Sequence, residues 1–434
     1  MLGMRVLVLG GYGLVGAAIV RRLCADGLSV IGHGRSLALG CAVAPDIPWI
    51  NADLSRMTHS DDWTPYLVGV DAVVNAAGAL QDGLRDDLVS VQRDAITALI
   101  ESCGKAGVRR FIQISAPGAQ SLAGTVFMRT KGEADAALAA SALDWTIFRP
   151  GLVIGADSYG GTTLLRMLAA FPLLQPLAFG DRLVQTVSAS DVAEAVSRAL
   201  VGGVGVRGDF DLVEGRARRL SEAVAALRAW LGFAPARAVL SVPGWVAGAM
   251  GRVADTGGWL GWRSPLRTTA LRVLRGGVIG DGAAWSVVSG QAMGDLSQTL
   301  RDLPCTAQER LFARAQLVFP VALIVLSGFW IASGVIGAVH WRAAAAVMAN
   351  SPLAEHASLL VWLGVLLDLA VGFGLLVKRF ARAAALGSVG VCALYLAAGT
   401  LLTPALWADP LGPFVKVFPA MGLGLVVAAL LGER

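Results

Sequence analysis

Charge is scarce in this chain. Of its 434 residues only 15% are Asp, Glu, Lys or Arg, while 55% are apolar; soluble domains carry roughly 25% and 45–50%. That shortage excludes a disordered chain, which is polar and charged, and argues against a plain cytosolic enzyme. The net charge is only +5, with no Lys/Arg-rich run and no stripe of basic and aromatic residues, so nucleic acid is not an expected partner. The five cysteines form no CxxC pair and are odd in number, which fits reduced thiols rather than a disulfide framework. The four histidines are scattered without metal-ligand spacing, and no metal site is expected. Tyrosine is as rare, with Tyr12, Tyr66, Tyr159 and Tyr395 the whole supply.

The few charges are unevenly spread. The last 118 residues hold ten of them and the first 316 hold 57. A step of this kind is expected where a soluble part meets a membrane part. Three domains follow: 1–237, a connecting segment 238–310, and 311–434.

The N-terminal residues carry an apolar run that superficially resembles a signal peptide, but four glycines break it. Met4–Leu9 reads as a strand, Leu14–Cys24 as a helix, and between them stand Gly10, Gly11, Tyr12, Gly13, Leu14, Val15 and Gly16. Gly10 suits the tight turn, Gly13 lets the backbone approach a pyrophosphate, and Gly16 lets helix and strand pack closely; the helix N-terminus supplies N–H donors to the phosphates. Further strands are expected at Leu28–Gly32, Asp71–Val74, Arg110–Ile114 and Trp145–Phe148. Helical stretches lie between, including Leu84–Gly104 and Thr130–Ala142. The alternation predicts an α/β fold with a doubly wound parallel sheet of Rossmann type. Ligands in such sheets sit at the carboxyl ends of the strands.

The polar punctuation falls at those ends. Arg35 and Ser36 follow the second strand, where an acidic residue would serve a free ribose 2′-hydroxyl and an arginine a 2′-phosphate; NADP(H) is therefore favoured over NAD(H). Asp53, with Leu54, is placed either to contact the adenine end or to cap the following turn. Asn75, Ala76, Ala77 and Gly78 end one strand, Ser115 the next, and Arg149, Pro150 and Gly151 a later one.

These residues, with Lys131 and the stretch Val187–Ala193, resemble the atypical short-chain dehydrogenase/reductases over Met1–Arg237. The likeness is greatest to the branch that includes the NADPH-binding accessory subunit of respiratory complex I. The resemblance implies a cofactor site built from the glycine loop, Arg35, Ser36, Asp53, Leu54, Asn75–Gly78, Ser115, Lys131 and Pro150, with Ser115 and Lys131 as catalytic residues. In catalytic members a tyrosine stands four residues before the lysine; here that position is Phe127. A phenyl ring has no proton to give, and general acid–base transfer contributes typically about 10²–10⁴-fold in rate. Tyr159, just beyond the Pro150–Gly151 strand end, is a candidate for a displaced acid.

The segment Ser241–Arg310 contains Trp245, Trp259, Trp262 and Trp285. Helices over Pro243–Val253 and Leu266–Leu274 read equally as interfacial amphipathic helices and as a subdomain packed on the sheet. After it, Leu317–Val339, Ala357–Val377, Ala383–Leu402 and Phe414–Leu431 are long apolar runs, giving an expectation of four transmembrane helices. The basic residues Arg301, Arg310, Arg314, Lys378, Arg379 and Arg382 put the N-terminal domain and the C-terminus in the cytoplasm. The four-span unit resembles the DoxX-like family. Asp368 falls mid-span, where an acid is costly and often functional, and small residues recur at Ser327, Gly328, Ser333, Gly334 and Gly337.

Two functions fit. One is a membrane-anchored NADP(H)-dependent oxidoreductase acting on a lipid-soluble carbonyl, a quinone or an isoprenoid, with membrane lipid as a further partner. The other is a non-catalytic cofactor-holding, assembly or redox-sensing protein of a respiratory or other membrane complex.

Overall fold

The computed structural model describes residues 3–78, 87–157, 160–262 and 264–432. They form two compact units. The first runs to Thr256 and includes Ser264–Arg310; the second contains Gly257–Trp262 and the chain from Leu311 onward.

The first unit is built on a seven-stranded sheet: β1 (Arg5–Leu9), β2 (Ser29–Gly34), β3 (Trp49–Asn51), β4 (Ala72–Asn75), β5 (Arg110–Ile114), β6 (Asp144–Pro150) and β7 (Gly208–Leu212). Its order is β3-β2-β1-β4-β5-β6-β7, and every pairing is parallel. The order reverses between β1 and β4, the switch point at which such sheets bind ligands. The register sets Leu9 opposite His33 on one side and Asn75 on the other, so the residues that follow these positions open together at one end of the sheet.

The central strands are buried on both faces, as parallel strands covered by helices must be. Leu7, Leu9, Val73 and Phe111 pack with Trp63, Leu99 and Leu138 on one side. Val6, Val8, Val74 and Ile112 pack with Ile19, Val192, Val196 and Trp285 on the other. The covering helices are α1 (Leu14–Ala25), α2 (Ala95–Ala106), α3 (Val126–Ala139) and α4 (Ala189–Val201).

Several boundaries differ from the sequence expectation. The stretch expected as one helix from Leu84 enters α2 through a π-helical turn at Ser90–Asp94. Helix α3 begins four residues earlier than expected because Thr125 caps it, its hydroxyl accepting from Met128 N–H at 3.3 Å. Helix α4 is capped by Ser188, accepting from Asp191 N–H at 2.8 Å, rather than by Ser190. In the connecting segment the helices are Gly244–Trp259 and Thr268–Gly276.

Glu214 holds several pieces of this unit together. Its fully buried carboxylate accepts from Thr186 N–H and Oγ at 2.9 and 2.7 Å, from the Arg218 guanidinium at 2.5 Å, and from Leu296 N–H at 3.2 Å.

The second unit is helical: α5 (Ala307–Val339, which the chain enters from the first unit), α6 (Ala357–Leu376), α7 (Lys378–Leu402) and α8 (Val417–Gly432). Where four spans were expected, three of these helices are long and apolar enough to cross a membrane among the described residues, and α8 is a shorter apolar helix. At 16 residues and about 1.5 Å per residue, α8 falls below the 17–25 residues of most spans.

Close approach comes from small residues. A Cβ at Gly334 would lie 2.8 Å from Leu369 Cγ, and one at Gly372 2.6 Å from Ile331 Cγ1. Gly328, expected in the same role, has open space around it. Asp368 is buried and fully engaged, accepting from Ser333 Oγ and from Tyr395 Oη, each at 2.6 Å. Three helices, α5, α6 and α7, thus share one carboxyl group.

Candidate functional site: a dinucleotide cradle at the switch point

The loop between β1 and α1 is shaped by its glycines. Gly10 has φ of +67°, and a Cβ there would lie 2.8 Å from Ala77 Cα. At Gly16 a Cβ would lie 2.1 Å from the Gly10 carbonyl oxygen. Neither position accepts a side chain without displacing backbone. Gly13 caps α1 without any side-chain hydrogen bond, which leaves the first-turn N–H groups of Leu14, Val15 and Gly16 without intrahelical acceptors. An open glycine cradle beside a bare helix N-terminus fits a pyrophosphate.

The flanks of the cradle are set by hydrogen bonds. Tyr12 folds back over Gly34, where a Cβ would meet its ring at 2.1 Å, and its hydroxyl accepts from Arg35 N–H at 2.9 Å. Arg35 is exposed, and Ser36 caps the short helix Leu37–Val43 by accepting from Leu39 N–H. Asp53 caps the turn at Leu54–Arg56, accepting from Ser55 N–H and Oγ at 3.1 and 3.0 Å; Leu54 is buried beneath it. Asn75 is held at the end of β4, donating to Gln113 Oε1 at 2.8 Å and accepting from Ala77 N–H at 3.0 Å. That Asx turn fixes Ala76, Ala77 and Gly78 beside the glycine loop.

Ser115, Lys131 and Gly78 come together at the ends of β4 and β5. Lys131 is buried and donates to the Ile114 carbonyl at 3.0 Å, and a Cβ on Gly78 would stand 3.6 Å from its Nζ. Phe127, one turn earlier on α3, has its ring centre 5.9 Å from that nitrogen. Ser115 does not face an empty site: its hydroxyl donates to Asp135 Oδ2 at 2.6 Å. Asp135 also meets the Arg149 guanidinium at 3.2 Å, and Arg149 pairs in turn with Asp209. Burial pushes the Asp135 carboxyl above the usual carboxylate range and the Lys131 ammonium below the usual lysine range, each offsetting the other in part. Pro150 is buried at the end of β6, opposite Leu212 of β7. Tyr159 lies outside the described residues.

Asp135 was not singled out from the sequence. The available signal was its position one helical turn beyond Lys131, on the same face of α3. His33 was also missed. It is buried at the end of β2 with both ring nitrogens lacking hydrogen-bond partners, its ring centre 6.1 Å from that of Trp63. Burial lowers its pKa to about 4.

Comparison with known proteins agrees with this geometry. Residues 10–201 match the NAD(P)H-binding family and residues 327–425 match the DoxX-like family. An uncharacterised Saccharomyces cerevisiae protein, UPF0659 protein YMR090W, is 30% identical over 183 residues, covering 38% of this chain and 75% of its own length. An uncharacterised chloroplastic protein of Arabidopsis thaliana is 23% identical over 197 residues, covering 43% of this chain and 64% of its own. Among solved structures, the Bordetella bronchiseptica enzyme WbmH in complex with NAD+ superposes with a TM-score of 0.53 at 16% identity, over 73% of this chain and all of that one. The dTDP-glucose 4,6-dehydratase of Bacillus anthracis in complex with NAD gives 0.51 at 14% identity, over 69% of this chain and 96% of that one. At these identities the likeness is one of fold. The chain belongs to the NAD(P)H-binding family, on the short-chain dehydrogenase/reductase fold, and carries a DoxX-like unit after it.

Proposed function

We propose that this protein is a membrane-anchored, NADPH-dependent oxidoreductase that reduces a lipid-soluble carbonyl compound of quinone or isoprenoid type. The observation that carries the reading is the intact dinucleotide cradle, with Lys131 and Ser115 at its inner end, in one chain with three helices long enough to cross a membrane. Bound NADPH supplies the hydride. The α1 N-terminus and glycine loop hold the pyrophosphate, Arg35 meets the 2′-phosphate, and Lys131 binds the nicotinamide ribose. Ser115 orients the acceptor oxygen. A quinone oxygen needs less help from an acid than a ketone oxygen does, which accommodates Phe127. The basic run at Lys378, Arg379 and Arg382 supports a cytoplasmic position for that turn and, with it, for the nucleotide-binding unit.

One observation favours a second reading. With Phe127 at the acid position and the Ser115 hydroxyl engaged by Asp135, the unit is equally suited to hold NADPH without turning it over, as a sensing or assembly component of a membrane complex.

The test is made on the full chain in detergent, loaded with NADPH and given an extract of membrane lipids and quinones. Loss of nicotinamide fluorescence that disappears in Gly16→Ala establishes the reductase. Stable fluorescence with retained cofactor overturns it in favour of the second reading.

A further inference from the structure

One helix of the first unit turns its apolar face outward. In Gly244–Trp259 the inward positions are small: Ala247 is buried, and a Cβ on Gly251 would lie 3.0 Å from Leu271 Cδ1 and Thr268 Cγ2. The outward positions are large. Trp245 is 78% exposed and Val253 71%, with Ala249 between them at helical spacing and Met250 beside them. The strand before it, Ala238–Ser241, pairs with Leu174–Leu177 and leaves Val239, Leu240 and Leu174 exposed. An outward apolar surface of this extent is unusual for a face meant for water.

The charges around it are of one sign. Arg252 is exposed next to Val253, and Arg237 precedes the strand. Asp255, the helix's single carboxylate, is turned away, accepting from Thr268 Oγ1 at 2.7 Å and from Arg267 at 3.4 Å. Large apolar side chains with tryptophan, flanked by arginine and free of acid, are what an interfacial helix presents to anionic headgroups.

Chain continuity says which surface is available. Immediately after Thr256, the segment Gly257–Trp262 belongs to the second unit. There Trp262 Nε1 donates to the Leu376 carbonyl at 2.6 Å, and Lys378 N–H donates to the Leu260 carbonyl at 3.0 Å. That is the turn where α6 ends and α7 begins, with Lys378 and Arg379 in it. Such a turn, between two apolar helices, marks a membrane–water boundary. Val253 is four residues from the segment fixed there.

We propose that Ala238–Ser241 and the outward face of Gly244–Trp259 form a membrane-docking surface that lies in the interface of an anionic bilayer, through Trp245, Met250 and Val253. It rests on the second unit being in a bilayer and is independent of whether the protein turns over NADPH.

The experiment uses the full chain with Cys41 replaced by alanine, in nanodiscs of phosphatidylcholine and phosphatidylglycerol. Spin labels are placed in turn at Val253→Cys, at Leu122→Cys as the aqueous reference and at Ile324→Cys on α5 as the lipid reference. Collision with oxygen and with a water-soluble nickel chelate is measured for each. The expected result is a Val253 label with several-fold greater oxygen preference than the Leu122 label, near the Ile324 value. A Val253 label matching Leu122 overturns the proposal. So does one shielded from both reagents with spin–spin broadening, which identifies a second copy as the occupant. An Ile324 label that reads as aqueous overturns the bilayer placement itself, and with it the proposal, whatever Val253 shows.

Discussion

Ser115 Oγ donates to Asp135 Oδ2 at 2.6 Å, so the hydroxyl expected to face a substrate is held by a buried carboxyl on the next helix. The same carboxyl receives Arg149 from β6. Asp135 thereby ties the ends of β5 and β6 to α3, and its removal strands a guanidinium and a hydroxyl. Asp135→Ala is expected to destabilise the chain by about 3 kcal/mol or more, the usual effect of breaking a buried pair. Asp135→Asn keeps an acceptor for Ser115 and should cost less than the alanine. Thermal unfolding of the two variants in detergent checks the order; equal losses would mean that Ser115 gains nothing from the contact.

Phe127 lies one turn before Lys131, with its ring centre 5.9 Å from Nζ. A hydroxyl added to that ring is placed beside an ammonium that can lower its pKa. Phe127→Tyr should therefore raise the rate of carbonyl reduction by about 10²-fold or more, the low end of what a positioned acid supplies, with NADPH affinity unchanged. Single-turnover kinetics with a saturating carbonyl substrate measures the step directly. No gain would show that no acceptor oxygen reaches this position.

The glycine loop and the strand Arg110–Ile114 were legible because local chemistry dictates them: a β-branched run, then glycines where the backbone admits no Cβ. The Ser115–Asp135–Arg149–Asp209 chain was not. Its members are separated by 14 to 60 residues, and only the sheet register brings β6 and β7 beside α3. The register equally explains His33 and Glu214, whose types suggest surface positions and whose burial comes from tertiary packing. In the second unit hydropathy located the apolar helices and the residues within them, while the number of spans depends on helix length, which α8 meets least well.

Arg35 follows β2 and is exposed, its backbone N–H fixed by Tyr12 Oη at 2.9 Å. The backbone contact sets where the guanidinium starts, whatever the side chain. Arg35→Ala should weaken NADPH binding about 10-fold or more, as expected for the loss of one charge-assisted phosphate contact, and leave NADH binding within about twofold. Fluorescence titration of both nucleotides gives the ratio. Equal weakening of the two would place the 2′-phosphate elsewhere.

His33 makes the stability of the nucleotide-binding unit sensitive to acid. Its ring is buried against Trp63, neither nitrogen has a hydrogen-bond partner, and burial lowers its pKa to about 4 from an ordinary 6.5. Between those values the unfolded chain binds a proton that the folded chain refuses. The stabilisation from keeping this imidazole neutral is therefore complete above pH 6.5 and is lost as the pH falls from 6.5 through 4, a difference of about 3 kcal/mol. His33→Phe keeps a ring against Trp63, has no proton to take up and gives up no hydrogen bond. Unfolding followed at pH 7 and at pH 4 should show a clearly smaller loss of Tm for His33→Phe than for the parent chain. Parallel losses in the two would mean that the carboxylates alone govern the acid limb.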